Sequence, residues 1–223
     1  MFYRPETEDH GLARAPFKSC VVPRPIGWLS TVDENGVANL APYSQFTNLT
    51  FDPPMVLVSI NQGPGNTRKD TTVNIERTGG FVYNMCTYDL REQMNTTAAG
   101  FPPDVDEFEA AGLEKAPSVM VKAPRVAASP VQLECVHVQT IRIPGDSELS
   151  SCDVVIGRVV GVHVADKFIL PDGKLDVARM RPLARMGYSD YTYVDKVFEI
   201  SPSLAANPVG NPAGGLEGDK RLI

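Results

Sequence analysis

Residues 131–164, VQLECVHVQTIRIPGDSELSSCDVVIGRVVGVHV, hold the pattern that decides the fold. Apolar and polar residues alternate from Val131 to Ile143, and the alternation returns from Cys152 to Val164, so both segments are predicted to be long β-strands. A Pro-Gly-Asp turn ends the first segment. Gly157 and Gly161 interrupt the second, and glycine inside a strand often marks a bulge or bend, which a barrel needs in order to close.

Shorter β segments come earlier in the chain. Pro23 to Val32 is apolar and β-branched, and a turn signal at Asp33–Gly36 separates it from Val37 to Ala41, so this region is predicted to be a hairpin. The continuous apolar run from Met55 to Ile60 predicts a strand that is buried on both faces. A further strand is expected from Phe81 to Cys86.

Helical patterns are few and short. A helix is predicted over Thr67 to Arg77, with Thr67 or Asp70 as N-cap and Gly79 in the stop signal. A second helix is predicted over Asp89 to Ala99. Because helices do not alternate regularly with strands, a parallel α/β sheet is disfavoured. The fold is expected to be all-β with small α elements, arranged as a Greek-key barrel.

The length and composition are typical of one domain. The chain has 223 residues, of which 43% are hydrophobic, and this is enough for a sizeable core. Residues 1–200 are predicted to form the domain. Residues 201–223 are rich in Pro, Gly, Asn and Ala and are predicted to form an extended C-terminal arm, either mobile or laid over a neighbouring subunit.

Charge and hydropathy argue against several classes of partner. The net charge is −6 and there is no basic stripe, so no nucleic acid partner is expected. No apolar run approaches the length of a membrane-spanning helix and the N-terminus lacks an apolar signal segment, so no membrane partner is expected and the chain is predicted to be cytoplasmic. Four dispersed cysteines predict separate, reduced, mostly buried thiols, and three histidines without ligand spacing predict no metal site.

Motifs for nucleotide and hydrolytic chemistry are missing from the sequence. There is no GxGxxG after a strand, no GxxxxGK[ST] and no GxSxG elbow. The acidic stretch Asp104–Glu107 is interpreted as a solvated loop. No side chain is therefore assigned a catalytic role, which is typical of an enzyme whose bound cofactor carries the reaction.

One segment is a candidate anion site. Arg68 and Lys69 bring two positive charges to the start of a predicted helix, and Asp70 and Thr71 follow them. Backbone N–H groups and the dipole at a helix N-terminus attract anions, so a phosphate group would fit there. A solvated, ordinarily capped helix start explains the same residues equally well.

A second candidate site lies at strand ends, in Arg24–Thr31 and in Asn39–Asn48 after the hairpin. Small polar residues there would expose hydrogen-bonding groups to a flat heteroaromatic ring: Ser30, Thr31, Ser44 and Asn48. Trp28, Tyr43 and Phe46 are candidate stacking partners, although an isolated tryptophan is more often part of a core.

Several longer segments resemble one known family. They are RPIGWLSTVDENGVANLAPYSQFTNLTFDPPMVLVSI (residues 24–60), RKDTTVNIERTGGFVYNM (68–85), APRVAASPVQLEC (123–135), VVIGRVVGVHV (154–164) and DGKLDVARMRPLARMGYSDY (172–191). Over roughly residues 20–195 the chain resembles the flavin reductase-like family of FMN-binding split barrels, in its flavoredoxin-like branch.

The resemblance implies a six-stranded Greek-key split barrel that forms a homodimer, with FMN near the subunit interface. It implies that two segments contact the flavin ring and ribityl chain and that a third binds the phosphate: Trp28, Leu29, Ser30 and Thr31; Ser44, Gln45, Phe46 and Asn48; and Arg68, Lys69, Asp70 and Thr71. Relatives are expected to carry an RLGG motif near the end. Here Tyr188 stands where the second glycine is expected.

The resemblance also implies an activity, that of an NAD(P)H:flavin oxidoreductase. NADH or NADPH would reduce the bound FMN, and the electrons would pass to free flavin, a partner oxygenase or another redox protein. The alternative is an FMN-binding electron carrier or flavin-holding protein without direct NAD(P)H reductase activity. A barrel whose flavin site has decayed is a third interpretation, and the intact Arg68–Thr71 segment argues against it.

Overall fold

The computed structural model describes residues 1–63, 65, 67–146 and 150–200. The predicted C-terminal arm at residues 201–223 lies outside these ranges, so the division of the chain at residue 200 stays a prediction. Within the described ranges β structure dominates, and no helix there is long and apolar enough to cross a membrane.

Most elements are short, but two strands have 13 residues each. The strands of the described chain are β1 (Arg24–Pro25), β2 (Gly27–Val32), β3 (Ala38–Tyr43), β4 (Phe46–Phe51), β5 (Pro54–Asn61), β6 (Gly80–Met85), β7 (Lys115–Ala116), β8 (Arg125–Val126), β9 (Val131–Ile143), β10 (Cys152–Val164), β11 (Leu183–Gly187) and β12 (Asp190–Tyr193). The α-helices are α1 (Phe17–Cys20), α2 (Asp70–Thr78), α3 (Arg91–Thr96), α4 (Glu107–Ala110) and α5 (Val177–Met180).

Seven strands form one antiparallel sheet in the order β3-β2-β6-β9-β10-β5-β4. β3 and β4 lie at opposite edges of this sheet, yet only Ser44 and Gln45 separate them in the chain. The N–H of Ser59 donates to the carbonyl of Gln45 at 2.8 Å. This bond extends the β4–β5 pairing to the connection itself. Because only two residues join the two edge strands, β3 and β4 must lie close together, and the sheet curls into a barrel.

The expected all-β barrel with small α elements is confirmed, and its main sheet has seven strands where six were expected. The additional strand is β4, which the sequence pattern did not reveal because it pairs with β5 at the sheet edge and most of its residues are exposed. The predicted hairpin is confirmed, with Val32 opposite Ala38 at the turn.

The start of α2 differs from its prediction, whereas its end agrees. The helix begins at Asp70, and its N-cap is Lys69, so the choice of Thr67 or Asp70 as N-cap was wrong. Thr67 still belongs to the preceding loop, where its carbonyl accepts a hydrogen bond from the N–H of Gly63 at 2.8 Å. The predicted stop is confirmed: Gly79 has φ +80°, and its N–H donates to Ile75.

β5 and the second predicted helix also differ from expectation. In β5, Val56, Val58 and Ile60 are buried while the residues between them are half-buried, so the strand is not fully buried on both faces. One face of β5 packs into the core, and the opposite face, which carries Leu57 and Ser59, is only partly covered. The second predicted helix is shortened to α3 at Arg91–Thr96, preceded by a single 3₁₀ turn.

Two hydrophobic clusters meet across β2. Trp28 belongs to one cluster, with Leu40 and Phe108, and the neighbouring Leu29 belongs to the other, with Phe81. Successive side chains of a strand point to opposite faces, so every residue of β2 is buried. β2 is therefore the central strand on which both clusters depend.

The glycines of β10 mark bulges, as the sequence predicts. The register between β9 and β10 shifts at Ile156/Gly157 and again at Val159/Gly161. A Cβ atom on Gly157 would lie 2.4 Å from Cζ of Phe81, whereas one on Gly161 would find its nearest neighbour at 3.4 Å. Only Gly157 must therefore be glycine, because the ring of Phe81 approaches it too closely for a side chain.

Gly157→Ala is expected to lower the free energy of unfolding by about 1–3 kcal/mol, because the added methyl group overlaps the ring of Phe81. Gly161→Ala is the matched control on the same strand and is expected to change it by no more than about 0.5 kcal/mol. Urea unfolding of both variants measures the difference. Equal losses would show that the Phe81 contact does not select glycine.

Candidate functional site

Lys69 stands at the N-terminus of α2. Its carbonyl accepts the N–H groups of Thr72 at 3.0 Å and Val73 at 3.1 Å, which defines the helix start. Its side chain is exposed and has no hydrogen-bond or ion-pair partner in the part of the chain that the structure describes. A free ammonium group beside the outward-pointing N–H groups of a first turn is chemically suited to an anion, and the predicted contact of Lys69 with a phosphate stays a prediction.

Arg68 is held quite differently. Its Nη1 and Nη2 each donate to the Glu76 carboxylate at 2.7 Å, and its Nε donates to the fully buried Asp153 at 3.0 Å. The hydrogen bonds with Glu76, and to a smaller extent the bond with Asp153, raise the pKa of Arg68 further above its ordinary value. Asp153 also accepts from Arg142 at 3.3 Å. Arg68 therefore ties the loop before α2 to β10, and its predicted contact with a phosphate stays a prediction.

A line of hydrogen-bonded polar groups runs beside Lys69. The Tyr43 hydroxyl donates to Oγ1 of Thr71 at 2.8 Å, and Thr71 donates to Oδ1 of Asn39 at 2.9 Å. Asn39 in turn donates to Oε1 of Glu107 at 2.8 Å, and Glu107 also accepts the N–H of Leu40 at 2.9 Å. We call Tyr43, Thr71, Asn39 and Glu107 the polar line. Each member is held by another, so their side chains are preorganised.

The polar line borders a cavity of about 170 Å³ that also contacts Lys69, Asp70 and the loop 97–101. A second cavity of about 250 Å³ is lined by Ser44 and Gln45 together with Arg24 and α1. Both cavities border the end of β3, since Tyr43 lines the first and the next residue, Ser44, lines the second. Each is smaller than the roughly 300 Å³ at which small-molecule pockets begin.

The predicted contacts on β2 lie behind these cavities. Trp28, Leu29, Ser30 and Thr31 are fully buried and line neither cavity. Trp28 Nε1 donates to Oγ1 of Thr97 at 2.9 Å, while Ser30 and Thr31 donate to groups of the chain itself. These side chains support the cavity wall, and their predicted contact with a flavin stays a prediction.

The segment after β3 divides in two. Ser44 and Gln45 line the second cavity, and their predicted contact with a flavin stays a prediction. Phe46 stacks on Tyr83 with ring centroids 4.6 Å apart and an angle of 9°, so this ring is used inside the protein. Asn48 is exposed on β4.

Two parts of the site were missed from the sequence. The loop 97–101 carries no motif, and Glu107 was placed in a solvated acidic loop. That interpretation of Glu107 is wrong, because the residue opens α4 and is 6% exposed. Only the fold brings its carboxylate against β3, so no local signal marks it.

The thiols are separate, as predicted. All four cysteines are free, but only Cys86 and Cys135 are buried, so the expectation of mostly buried thiols holds for two of the four. Burial raises the pKa of Cys86 to about 12 and raises that of Cys135 as well. Both thiols stay protonated near neutral pH and are poor nucleophiles. Among the described residues, no group of three or more His, Cys, Asp or Glu side chains is arranged to hold a metal ion.

The sequence and the structure both match known proteins. The model of a family described as flavin reductase like domain matches residues 19–176. The chain belongs to the flavin reductase-like family. An uncharacterised protein of Halalkalibacterium halodurans is 35% identical over 188 residues, covering 84% of this chain and 90% of the relative.

Two solved structures place the fold. Nitrilotriacetate monooxygenase component B from Bacillus cereus has a TM-score of 0.82 and 30% identity, covering 90% of this chain and 98% of its own. Flavoredoxin of Desulfovibrio vulgaris (Miyazaki F) has a TM-score of 0.72 and 20% identity, covering 89% of this chain and 99% of its own, and therefore shows the fold alone. The flavin reductase-like FMN-binding split barrel expected from the sequence is thus confirmed.

Glu107 makes stability depend on pH in a direction that can be tested. Burial raises its pKa above the ordinary value of 4.5, and the bonds from Leu40 and Asn39 oppose this only in part. The folded protein therefore binds this proton more tightly than the unfolded chain. The resulting stability is complete below pH 4.5 and is lost as the pH rises through the folded pKa.

In the variant Glu107→Gln this contribution is removed. As the pH falls from about 7 to about 5, the free energy of unfolding of the wild type is therefore expected to increase relative to that of the variant. Urea unfolding of both proteins measures this difference. Glu109→Gln changes an exposed residue of the same helix and is expected to retain the pH dependence of the wild type. A constant difference between wild type and Glu107→Gln would contradict the raised pKa.

Proposed function

We propose that this protein is an FMN-dependent NAD(P)H:flavin oxidoreductase that acts as a homodimer. The observation that carries the proposal is that a free cation, Lys69, and the polar line border the same cavity at the N-terminus of α2. The phosphate of FMN would bind at Lys69 and the first turn of α2. The hydroxyls of Thr71 and Tyr43 would bind and orient the polar chain of the cofactor.

The residues of the site bind and orient more than they react. When bound, FMN supplies the redox chemistry by taking hydride from NADH or NADPH and passing electrons onward. Cys86 and Cys135 have raised pKa values, which does not favour a dithiol mechanism. Arg68 stabilises the loop that carries Lys69, since its guanidinium is held by Glu76 and Asp153.

One relative supports a proposal about the electron acceptor. One solved structure of the same fold, at 30% identity, is component B of a monooxygenase. A reductase that supplies an oxygenase delivers its electrons as reduced flavin or directly to its partner. We therefore propose free flavin or a partner oxygenase as the acceptor, and another redox protein as the remaining option.

Dimer formation would complete the site. The two cavities are each small and open, so one chain encloses FMN incompletely. Leu49 and Phe51, 46% and 58% exposed, lie on the edge strand β4 that follows the cavity residues Ser44 and Gln45. A second subunit on this edge would bury these side chains and add a wall to the site.

Lys69→Ala is expected to weaken FMN binding about tenfold or more, because one charge-assisted contact to the phosphate is lost, worth roughly 1.5–3 kcal/mol. Arg77→Ala is the matched control: it removes an exposed cation from the last turn of the same helix, where Arg77 pairs with Glu34 at 3.0 Å. Titration of FMN by fluorescence quenching gives both dissociation constants. An unchanged constant in Lys69→Ala, or an equal loss in Arg77→Ala, would refute the phosphate site.

The reductase activity itself is tested by anaerobic absorbance spectra of the FMN-loaded protein. The visible flavin bands are expected to bleach rapidly on addition of NADH or NADPH, and the faster donor identifies the physiological one. Dithionite is the positive control for reducible flavin. Bands that persist with both nicotinamides and bleach with dithionite would replace the reductase with an electron carrier.

A further inference from the structure

A cavity of about 350 Å³ lies between α3 and the β11–β12 hairpin, apart from the flavin site proposed above. None of its lining residues borders either of the two flavin cavities. We call it the tyrosine pocket, after the residues that shape it: Tyr88, Arg91, Met94, Leu183, Tyr191 and Tyr193. Its volume lies within the range of small-molecule sites.

The tyrosine pocket has an apolar floor and aromatic walls. Met94 and Leu183, 2% and 6% exposed, belong to the hydrophobic core and close the bottom. The rings of Tyr88 and Tyr193 lie 4.6 Å apart at an angle of 49°. The guanidinium of Arg181 lies 4.3 Å from the first ring and 4.8 Å from the second, which holds this wall in place. Such walls suit a flat aromatic ring.

The backbone preforms the same pocket. The N–H of Tyr88 donates to the carbonyl of Arg181 at 2.9 Å, and the N–H of Leu183 donates to Cys86 at 2.9 Å. The hairpin and the α3 segment are thereby joined at their base. Arg181 and Tyr188 have φ of 57° and 47°, a left-handed conformation that is strained in bulky residues and persists where the surrounding structure enforces it.

Arg91 gives the tyrosine pocket a positive group. Its Nη1 donates to the carbonyl of Tyr88 at 2.8 Å, and its guanidinium lies 4.1 Å from the ring of Tyr88. Its Nε lies 3.3 Å from Glu92, whose side chain is 75% exposed, so this pair is weak. Nη2 has no partner among the described residues and remains available to a ligand.

We propose that the tyrosine pocket binds a planar aromatic carboxylate of the benzoate class. The ring would lie against the tyrosine walls over Met94 and Leu183, and the carboxylate would bind Arg91 in place of Glu92. A neutral aromatic compound would gain no charged contact with the guanidinium, which would keep its weak pair with Glu92. This assignment needs no bound FMN and is independent of the proposed function.

α3 connects this pocket to the flavin site. The carbonyl of Met94 accepts a hydrogen bond from Oγ1 of Thr97 at 2.9 Å, and Thr97 borders the first flavin cavity. The floor of the tyrosine pocket and the wall of that cavity are thus three residues apart on one short segment. An aromatic acid bound here lies beside the flavin site without occupying it.

Benzoate and benzamide, which differ in charge but have the same ring, are the probes. Isothermal titration of the purified protein is expected to show saturable binding of benzoate, about tenfold tighter than that of benzamide. Arg91→Met is expected to abolish this preference, and Glu92→Gln to strengthen benzoate binding by freeing the guanidinium. Tyr191→Ser, which alters a residue that is 39% exposed, is expected to weaken both probes while the unfolding temperature stays near that of the wild type.

Two control variants locate the bound probe. Lys69→Ala is expected to leave the benzoate constant unchanged, and so is Arg77→Met, which removes a distant exposed arginine. The proposal is overturned by the lack of saturable benzoate binding, by equal affinity for the two probes, or by an unchanged preference in Arg91→Met. Loss of benzoate binding in Lys69→Ala would place the probe in the flavin site and would equally overturn it.

Discussion

Burial of β2 on both faces is the constraint on which the rest of the structure depends. Trp28 extends into one hydrophobic cluster and Leu29 into the other, so β2 cannot shift by one residue without reversing both. Its neighbours β3 and β6 are thereby held in register. Since β3 carries Asn39 and Tyr43, and α2 packs against β2, the geometry of the cavity beside Lys69 depends on this one strand.

The two adjacent cations before α2 show how the surroundings separate residues of the same charge. Arg68 turns toward Glu76 and the buried Asp153, a carboxylate that needs a counter-charge because it lies fully within the protein. Lys69 takes the N-cap position and points to solvent. The planar guanidinium, which can bond two carboxylates at once, performs the structural task. The compact ammonium group remains available for a ligand.

The α3 segment forms a wall of both candidate sites. Met94 and Thr97 lie on neighbouring turns, one under the tyrosine pocket and one beside the polar line. Thr97 is fixed by Trp28, and Trp28 is fixed by the core, so both pockets have a rigid common wall. Rigid walls keep the cost of ordering low when a ligand binds.

Local patterns in the sequence were enough to predict the long strands, the bulge at Gly157, the hairpin and the family, because alternation, turn residues and motifs all lie within short segments. They also marked Lys69 and Thr71, since a helix start is a local feature. Tertiary contacts alone determine that Arg68 is paired, that Glu107 is buried and that β4 joins the sheet. The contact of Arg68 with Asp153, for example, joins residues 85 positions apart in the chain, and no local pattern encodes such a pairing.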